Sequence, residues 1–269
     1  MLGNEVRMNR LIPGDDGKYF GLTVDHAIAR GVVRGLDTID DTIAKMVAGN
    51  PNAITMHKGI AEKCFSKYAG QVPLVLKLTT FGVYHFDEDI QVADVEEALC
   101  MGADAVSVGC IVGGDNQNRQ LEQLGRITKE AHKYGMPVIS HIYPRGNHIT
   151  GADQYSVENV TYAARAAAEM GVDLVKTNYT GSAESFAKVV QAVPTRVAIA
   201  GGMKCSTVDE FLQQTREVMD SGAVGVTYGR FVMQYPDVTA LVLTLNKMIH
   251  EGLSIKESKE LLNQLENEK

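Results

Sequence analysis

The chain has 269 residues, 45% hydrophobic and 22% charged, with a formal net charge of -7. That length suits one α/β barrel of about 250 residues, and an acidic balance without a Lys/Arg run argues against a nucleic-acid surface. No apolar run nears the roughly 18 residues of a membrane helix, residues 1–10 hold no signal-peptide core, and four cysteines without a C-x-x-C pair read as thiols of a cytoplasmic protein.

The N-terminal segment, 1–17, carries basic residues and a Pro-Gly-Asp-Asp turn, and is expected to lie across the bottom of the fold or over a neighbour. After it, short apolar runs alternate with helical patterns. Strands are expected at Tyr19–Val24, Ala53–His57, Leu74–Thr79, Ala105–Gly109, Val138–Tyr143, Asp173–Thr177, Arg196–Ala200 and Gly225–Tyr228. Helices are expected at Thr38–Ala48, Val92–Met101, Arg119–Tyr134, Ser156–Met170, Ala183–Ala192 and Ser206–Ser221. Gly102, Gly135, Gly171 and Gly222 stand where helices would end before the next strand. Such alternation argues for βαβ units, and eight of them for a (β/α)8 TIM barrel in a single domain over 1–269. Two further helices, within 238–267, end the chain.

Period-2 alternation sorts the strand residues into faces. Leu74, Leu76 and Leu78 share one face, and Val75, Lys77 and Thr79 the other. Ile139, His141 and Tyr143 travel together, as do Leu174 and Lys176. The faces holding Lys and Tyr are assigned to the barrel interior.

Barrel enzymes place their chemistry at the C-terminal strand ends. Asp25, His26, Lys77, His141, Tyr143, Arg145 and Lys176 fall there. Lys176 lies within an apolar strand. Burial disfavours its ammonium, and a neutral amine attacks a carbonyl to form an iminium. The other reading is a lysine snorkelling to the strand end beside Asp25. Lys77 is a second candidate, also readable as a barrel lysine paired with a carboxylate. Tyr143 and Asp25 suit the proton transfers that C–C cleavage beside an iminium needs, although either would also serve as an ordinary buried partner. Gly201-Gly202 and Gly229-Arg230 follow the last two strands, where barrels commonly bind phosphate through backbone N–H groups. Arg230 and Arg145 would add charge-assisted bonds. His26, His57, His85 and His141 would serve a metal-dependent lyase if they converged. Their spacing matches no dense ligand motif, so neither metal nor cofactor is expected.

The runs Val24-Asp25-His26, Ile142-Tyr143-Pro144-Arg145-Gly146 and Val175-Lys176-Thr177-Asn178-Tyr179-Thr180-Gly181 resemble the archaeal-type class I aldolase family. That family includes fructose-bisphosphate aldolases and aminodideoxyheptulosonate synthases. The resemblance covers nearly the whole chain. It implies a (β/α)8 barrel, a Schiff-base lysine at Lys176, a proton-transfer tyrosine at Tyr143 and an acidic residue at Asp25. It further implies phosphate binding at Gly201-Gly202 and Gly229-Arg230, a small phosphorylated sugar as substrate, and a homo-oligomer, a decamer in many members. Ala27, His141 and Phe231 depart from residues common in the family, and the runs Met56–Ile60 and Tyr143–Ile149 look closer to the heptulosonate synthases. The expected function is a class I aldolase acting on a phosphorylated ketose, fructose 1,6-bisphosphate first, releasing or using dihydroxyacetone phosphate. The alternative is a transaldolase-type 2-amino-3,7-dideoxy-D-threo-hept-6-ulosonate synthase. A metal-dependent lyase is the reading from another class, and a ligand-binding barrel would leave Lys176, Tyr143 and Asp25 unexplained.

Overall fold

At most βα units an apolar strand is followed by an amphipathic helix whose buried stripe covers it, so the chain turns in one sense and closes on itself. The computed structural model describes residues 1–201 and 205–268. Ten strands occur among them. They are β1 (Tyr19–Thr23), β2 (Ala53–Met56), β3 (Leu74–Lys77), β4 (Thr79–Gly82), β5 (His85–Gln91), β6 (Ala105–Val112), β7 (Val138–Pro144), β8 (Leu174–Thr177), β9 (Arg196–Ala200) and β10 (Gly225–Tyr228). Eight form a closed parallel barrel in the order β1-β10-β9-β8-β7-β6-β3-β2. The fold is the expected single-domain (β/α)8 barrel. Helices end where the glycines predict, Gly102 and Gly171 taking φ of 71° and 83°.

The faces also fall as assigned. Leu74, Leu76 and Leu78 pack outward into the core shared with the helices. Val75, Ile139 and Leu174 point inward, where they meet Tyr19, Met8 and Leu11. The last two belong to the N-terminal segment, which is a helix, Leu2–Leu11. It lies under the barrel, Asn4 donating to Asp173 at 2.9 Å and Arg10 pairing with Asp104 at 3.0 Å. The lower interior is therefore apolar and plugged, and the upper interior is left for polar groups.

Two expectations need correction. The third strand ends at Lys77, and Thr79 opens an antiparallel hairpin of β4 and β5. The hairpin is stitched to the barrel at Leu78, whose N–H donates to Ser107 and whose carbonyl accepts from Val92 and Ala93. Residues 80–91 had no assignment, because Asp87-Glu88-Asp89 carries no core signal. The helix expected over Val92–Met101 spans only Val95–Cys100, since Asp94 caps it, accepting from the Glu97 N–H while the Glu97 side chain accepts from the Asp94 N–H.

Candidate active site

The C-terminal strand ends surround a cavity of about 560 Å³. Every expected site residue within the described part of the chain borders it. Gly202 lies outside the described residues. Among the histidines, His26 and His141 reach the cavity, whereas His85 is exposed on β5, so the four do not converge. Among the described residues no group of three or more His, Cys, Asp or Glu side chains is arranged to hold a metal.

Lys176 projects from β8 into the interior and is 5% exposed. Parallel register sets it beside His141 of β7 on one side and Ala198 of β9 on the other. Burial penalises its ammonium, Asp25 opposes that effect and Lys77 adds to it, and the balance brings the amine down to about 8. Lys77, from β3, is equally buried, but its Nζ lies 3.4 Å from the Thr79 hydroxyl.

Asp25 follows β1 and accepts from the Thr23 hydroxyl. Burial opposes its ionisation, but His26, Lys176, His141 and Lys77 outweigh this and hold its carboxyl well below the usual range, the two imidazoles contributing only where acid protonates them. His26 Nδ1 lies 3.7 Å from Asp25. Burial pushes the His26 imidazole down to about 4 against the pull of Asp25, and takes His141 well below its ordinary value, with Lys176 and Lys77 adding to the latter. Burial also raises the Tyr143 phenol, helped by Asp25. The site thus holds a carboxylate, a neutral phenol, two neutral imidazoles and an amine that deprotonates near neutrality. Such a set can add to a carbonyl and move protons around the adduct.

Gly229 and Arg230 follow β10. A Cβ on Gly229 would sit 2.3 Å from the His26 ring, so only glycine lets the two pack. A Cβ on Gly201 would press the Tyr228 ring at 2.6 Å. Arg230 borders the cavity with Arg30, and burial together with Arg30 lowers its guanidinium. Arg145 stacks over Phe81 at 4.5 Å and over Tyr143 at 5.6 Å. Its buried Nε and Nη2 find no hydrogen-bond partner among the described residues. Arg30 also lies over the Phe81 ring, 5.9 Å from its centroid. Unpartnered buried guanidinium N–H groups are costly unless an anion completes them.

Sequence reasoning did not single out Arg30, Phe81 or Asp89. Arg30 ends a short helix, His26–Arg30, that follows β1, one turn beyond a motif that had drawn notice. Phe81 and Asp89 come from the unassigned hairpin. Alternation in β5 puts Asp87 and Asp89 on one face, and that was the available signal.

The family model of DeoC/LacD aldolases matches residues 20–235. The chain is 35% identical over 251 residues to the 2-amino-3,7-dideoxy-D-threo-hept-6-ulosonate synthase of Halobacterium salinarum, covering 93% of this chain and 92% of that protein. It is 34% identical to the class 1 fructose-bisphosphate aldolase of Thermoproteus tenax, covering 90% and 93%. Its fold superimposes on a Schiff-base-forming fructose-1,6-bisphosphate aldolase with a TM-score of 0.83 at 30% identity, over 91% of this chain and 99% of that one. A family match spanning most of the chain, on a barrel whose interior carries a buried lysine, makes this protein an enzyme of the DeoC/LacD aldolase family.

Proposed function

We propose that the protein is a class I aldolase that makes or breaks a C–C bond in a phosphorylated ketose, with Lys176 as the Schiff-base nucleophile. The observation that carries this reading is the Lys176 amine, buried to 5% exposure and brought to about 8, in a cavity with an ionised Asp25 and a neutral Tyr143. The Nζ lone pair attacks the ketose carbonyl carbon, and the carbinolamine loses water to give an iminium. Asp25 accepts the proton of the hydroxyl carried by the far carbon of the bond to be broken. That bond's electrons move into the iminium, giving an enamine and free aldehyde. Tyr143 donates a proton to the enamine carbon and is reprotonated as Asp25 gives up its proton through water; a water molecule then adds to the iminium, releasing the ketone and the free Lys176 amine.

Gly201, Gly202, Gly229 and Arg230 take the phosphate nearer the keto carbon. Arg145, over Phe81, takes a second anionic group, and Arg30 faces both Arg145 and Arg230. Three arginines around one cavity favour a doubly phosphorylated ketose, fructose 1,6-bisphosphate first, with dihydroxyacetone phosphate as the ketone product. His26, His141 and Lys77 line the same cavity. A second reading, transfer of a ketone unit to an amino-acid semialdehyde, is favoured by His141 in place of the aromatic residue of some fructose-bisphosphate aldolases and by the heptulosonate synthase relative. Four free cysteines go with a cytoplasmic setting, and exposed Val83, Tyr84 and Phe86 on the hairpin go with a homo-oligomer.

The test is borohydride trapping with fructose 1,6-bisphosphate and with dihydroxyacetone phosphate, read by mass spectrometry. A reduced adduct is expected at Lys176, and Lys176→Ala should lose both adduct and turnover. An adduct at Lys77 would move the nucleophile. Turnover only with an amino-acid semialdehyde as acceptor would select the second reading.

A further inference from the structure

Asp89 is a buried carboxylate that the steps above do not use. It is 4% exposed, and it borders the cavity from the hairpin instead of from a barrel strand. Its backbone is clamped by the helix Gln117–Lys133. The Asp89 N–H donates to Gln120 Oε1 at 3.2 Å, and its carbonyl accepts from Gln120 Nε2 at 2.9 Å and Gln123 Nε2 at 3.1 Å. Its carboxylate lies flat against Gly109 of β6, where an added Cβ would come within 2.1 Å of Oδ1 and 2.5 Å of Oδ2. Two glutamines and one glycine therefore aim this carboxylate at a single spot.

At that spot is the Thr79 hydroxyl. It accepts from the Gly109 N–H at 2.6 Å and bonds Asp89 Oδ1 at 2.8 Å, with Lys77 Nζ at 3.4 Å. A hydroxyl has one proton and two lone pairs. Gly109 N–H and the Lys77 ammonium are donors only, so the hydroxyl proton must go to Asp89. The carboxylate polarises the hydroxyl, and the hydroxyl holds the ammonium.

We propose that Asp89 and Thr79 are positioning residues: the hairpin carries them into the barrel to anchor the Lys77 ammonium in the interior it shares with Lys176. This rests on the reading of Lys176 as nucleophile. The charged and titratable groups facing Lys176 are Asp25, Lys77, His26 and His141. Burial keeps the two imidazoles neutral, so Lys77 is the cation that offsets Asp25. Lys77 in turn faces Asp25, His57, Cys110 and His141 besides Thr79. Cut from its anchor, a flexible buried ammonium moves toward water at the cavity mouth, and its field at Lys176 weakens.

The experiment follows the dihydroxyacetone phosphate adduct at Lys176, trapped with borohydride between pH 5.5 and 9. Lys77→Met should move the acid limb of adduct formation to higher pH by about one unit, the scale of a lost like charge nearby. Thr79→Val should move it in the same direction, and Thr79→Ser should restore it. In the Lys77→Met background Thr79→Val should add no further shift. If Thr79→Val does not fold, Thr79→Ala, which likewise removes the hydroxyl without removing a charge, is carried through the same cycle. An unmoved limb in the anchor variants, or an equal shift with Lys77 already removed, would overturn the proposal. If the native enzyme itself gives no adduct at Lys176, the aldolase assignment of that lysine falls first and takes the anchor with it.

Discussion

A solvent-exposed lysine holds less than about one neutral amine in a thousand at pH 7. Lys176, brought to about 8 by burial, holds roughly a tenth. The sign follows from the proposed role of Lys176, in which the neutral amine attacks the carbonyl. At low substrate concentration the initial trapping rate should climb about tenfold per pH unit from pH 6, then flatten above pH 8. A rate already flat across pH 6 to 8 would mean that adduct formation is limited elsewhere. Tyr143 meets the opposite environment. Burial and Asp25 raise its phenol, so it remains a donor throughout that range. Tyr143→Phe keeps the ring under Arg145 and removes only the hydroxyl. Turnover should fall by roughly 10²–10⁴, the worth of a positioned acid–base group, while the borohydride adduct at Lys176 still forms. Loss of the adduct as well would move Tyr143 to the dehydration of the carbinolamine.

At the scale of elements, the hairpin of β4 and β5 docks through a glycine. Gly109→Ala would force a Cβ into the Asp89 carboxylate, which would have to withdraw from Thr79. Overpacking of this kind costs typically 1–3 kcal/mol, and the hairpin is the part free to give way. Amide hydrogen exchange should therefore quicken across 79–91 and stay unchanged in β7 and β8. Faster exchange throughout the barrel would show that the hairpin is integral to the fold. This element also marks where reading the sequence stops. Strands that cover themselves with helices leave a period in the sequence, and all eight barrel strands were found, within three residues at either end. Lys176, Tyr143 and Asp25 were legible because they interrupt or end such strands. The hairpin buries one carboxylate beside two half-buried acidic residues, and no periodicity of apolar residues records that. Arg30 and Phe81 were illegible for a related reason. Their partnership with Arg145 joins residues 30, 81 and 145, which follow three different barrel strands, and only closure of the barrel brings them together.

The whole molecule is divided between its two ends. The upper interior gathers charged and polar groups around a cavity, and desolvating them costs free energy. The lower interior offsets part of that cost with apolar packing. The N-terminal helix closes it, inserting Met8 and Leu11 against Tyr19, Val75, Ile139 and Leu174. Leu11 is 1% exposed. Leu11→Ala removes its side chain from a ring of strand residues that cannot collapse without distorting the barrel, so the loss should reach about 2–5 kcal/mol. For a chain of this size that lowers the melting temperature by several degrees at least. The site lies beyond the middle layer of the barrel, tied to strand ends that the substitution does not touch. Assayed well below the transition, kcat and the pH profile of trapping should match the native enzyme, with thermal inactivation alone accelerated. A changed kcat or a shifted profile at low temperature would mean that the plug sets the barrel's geometry up to Lys176, and that the two ends are mechanically coupled.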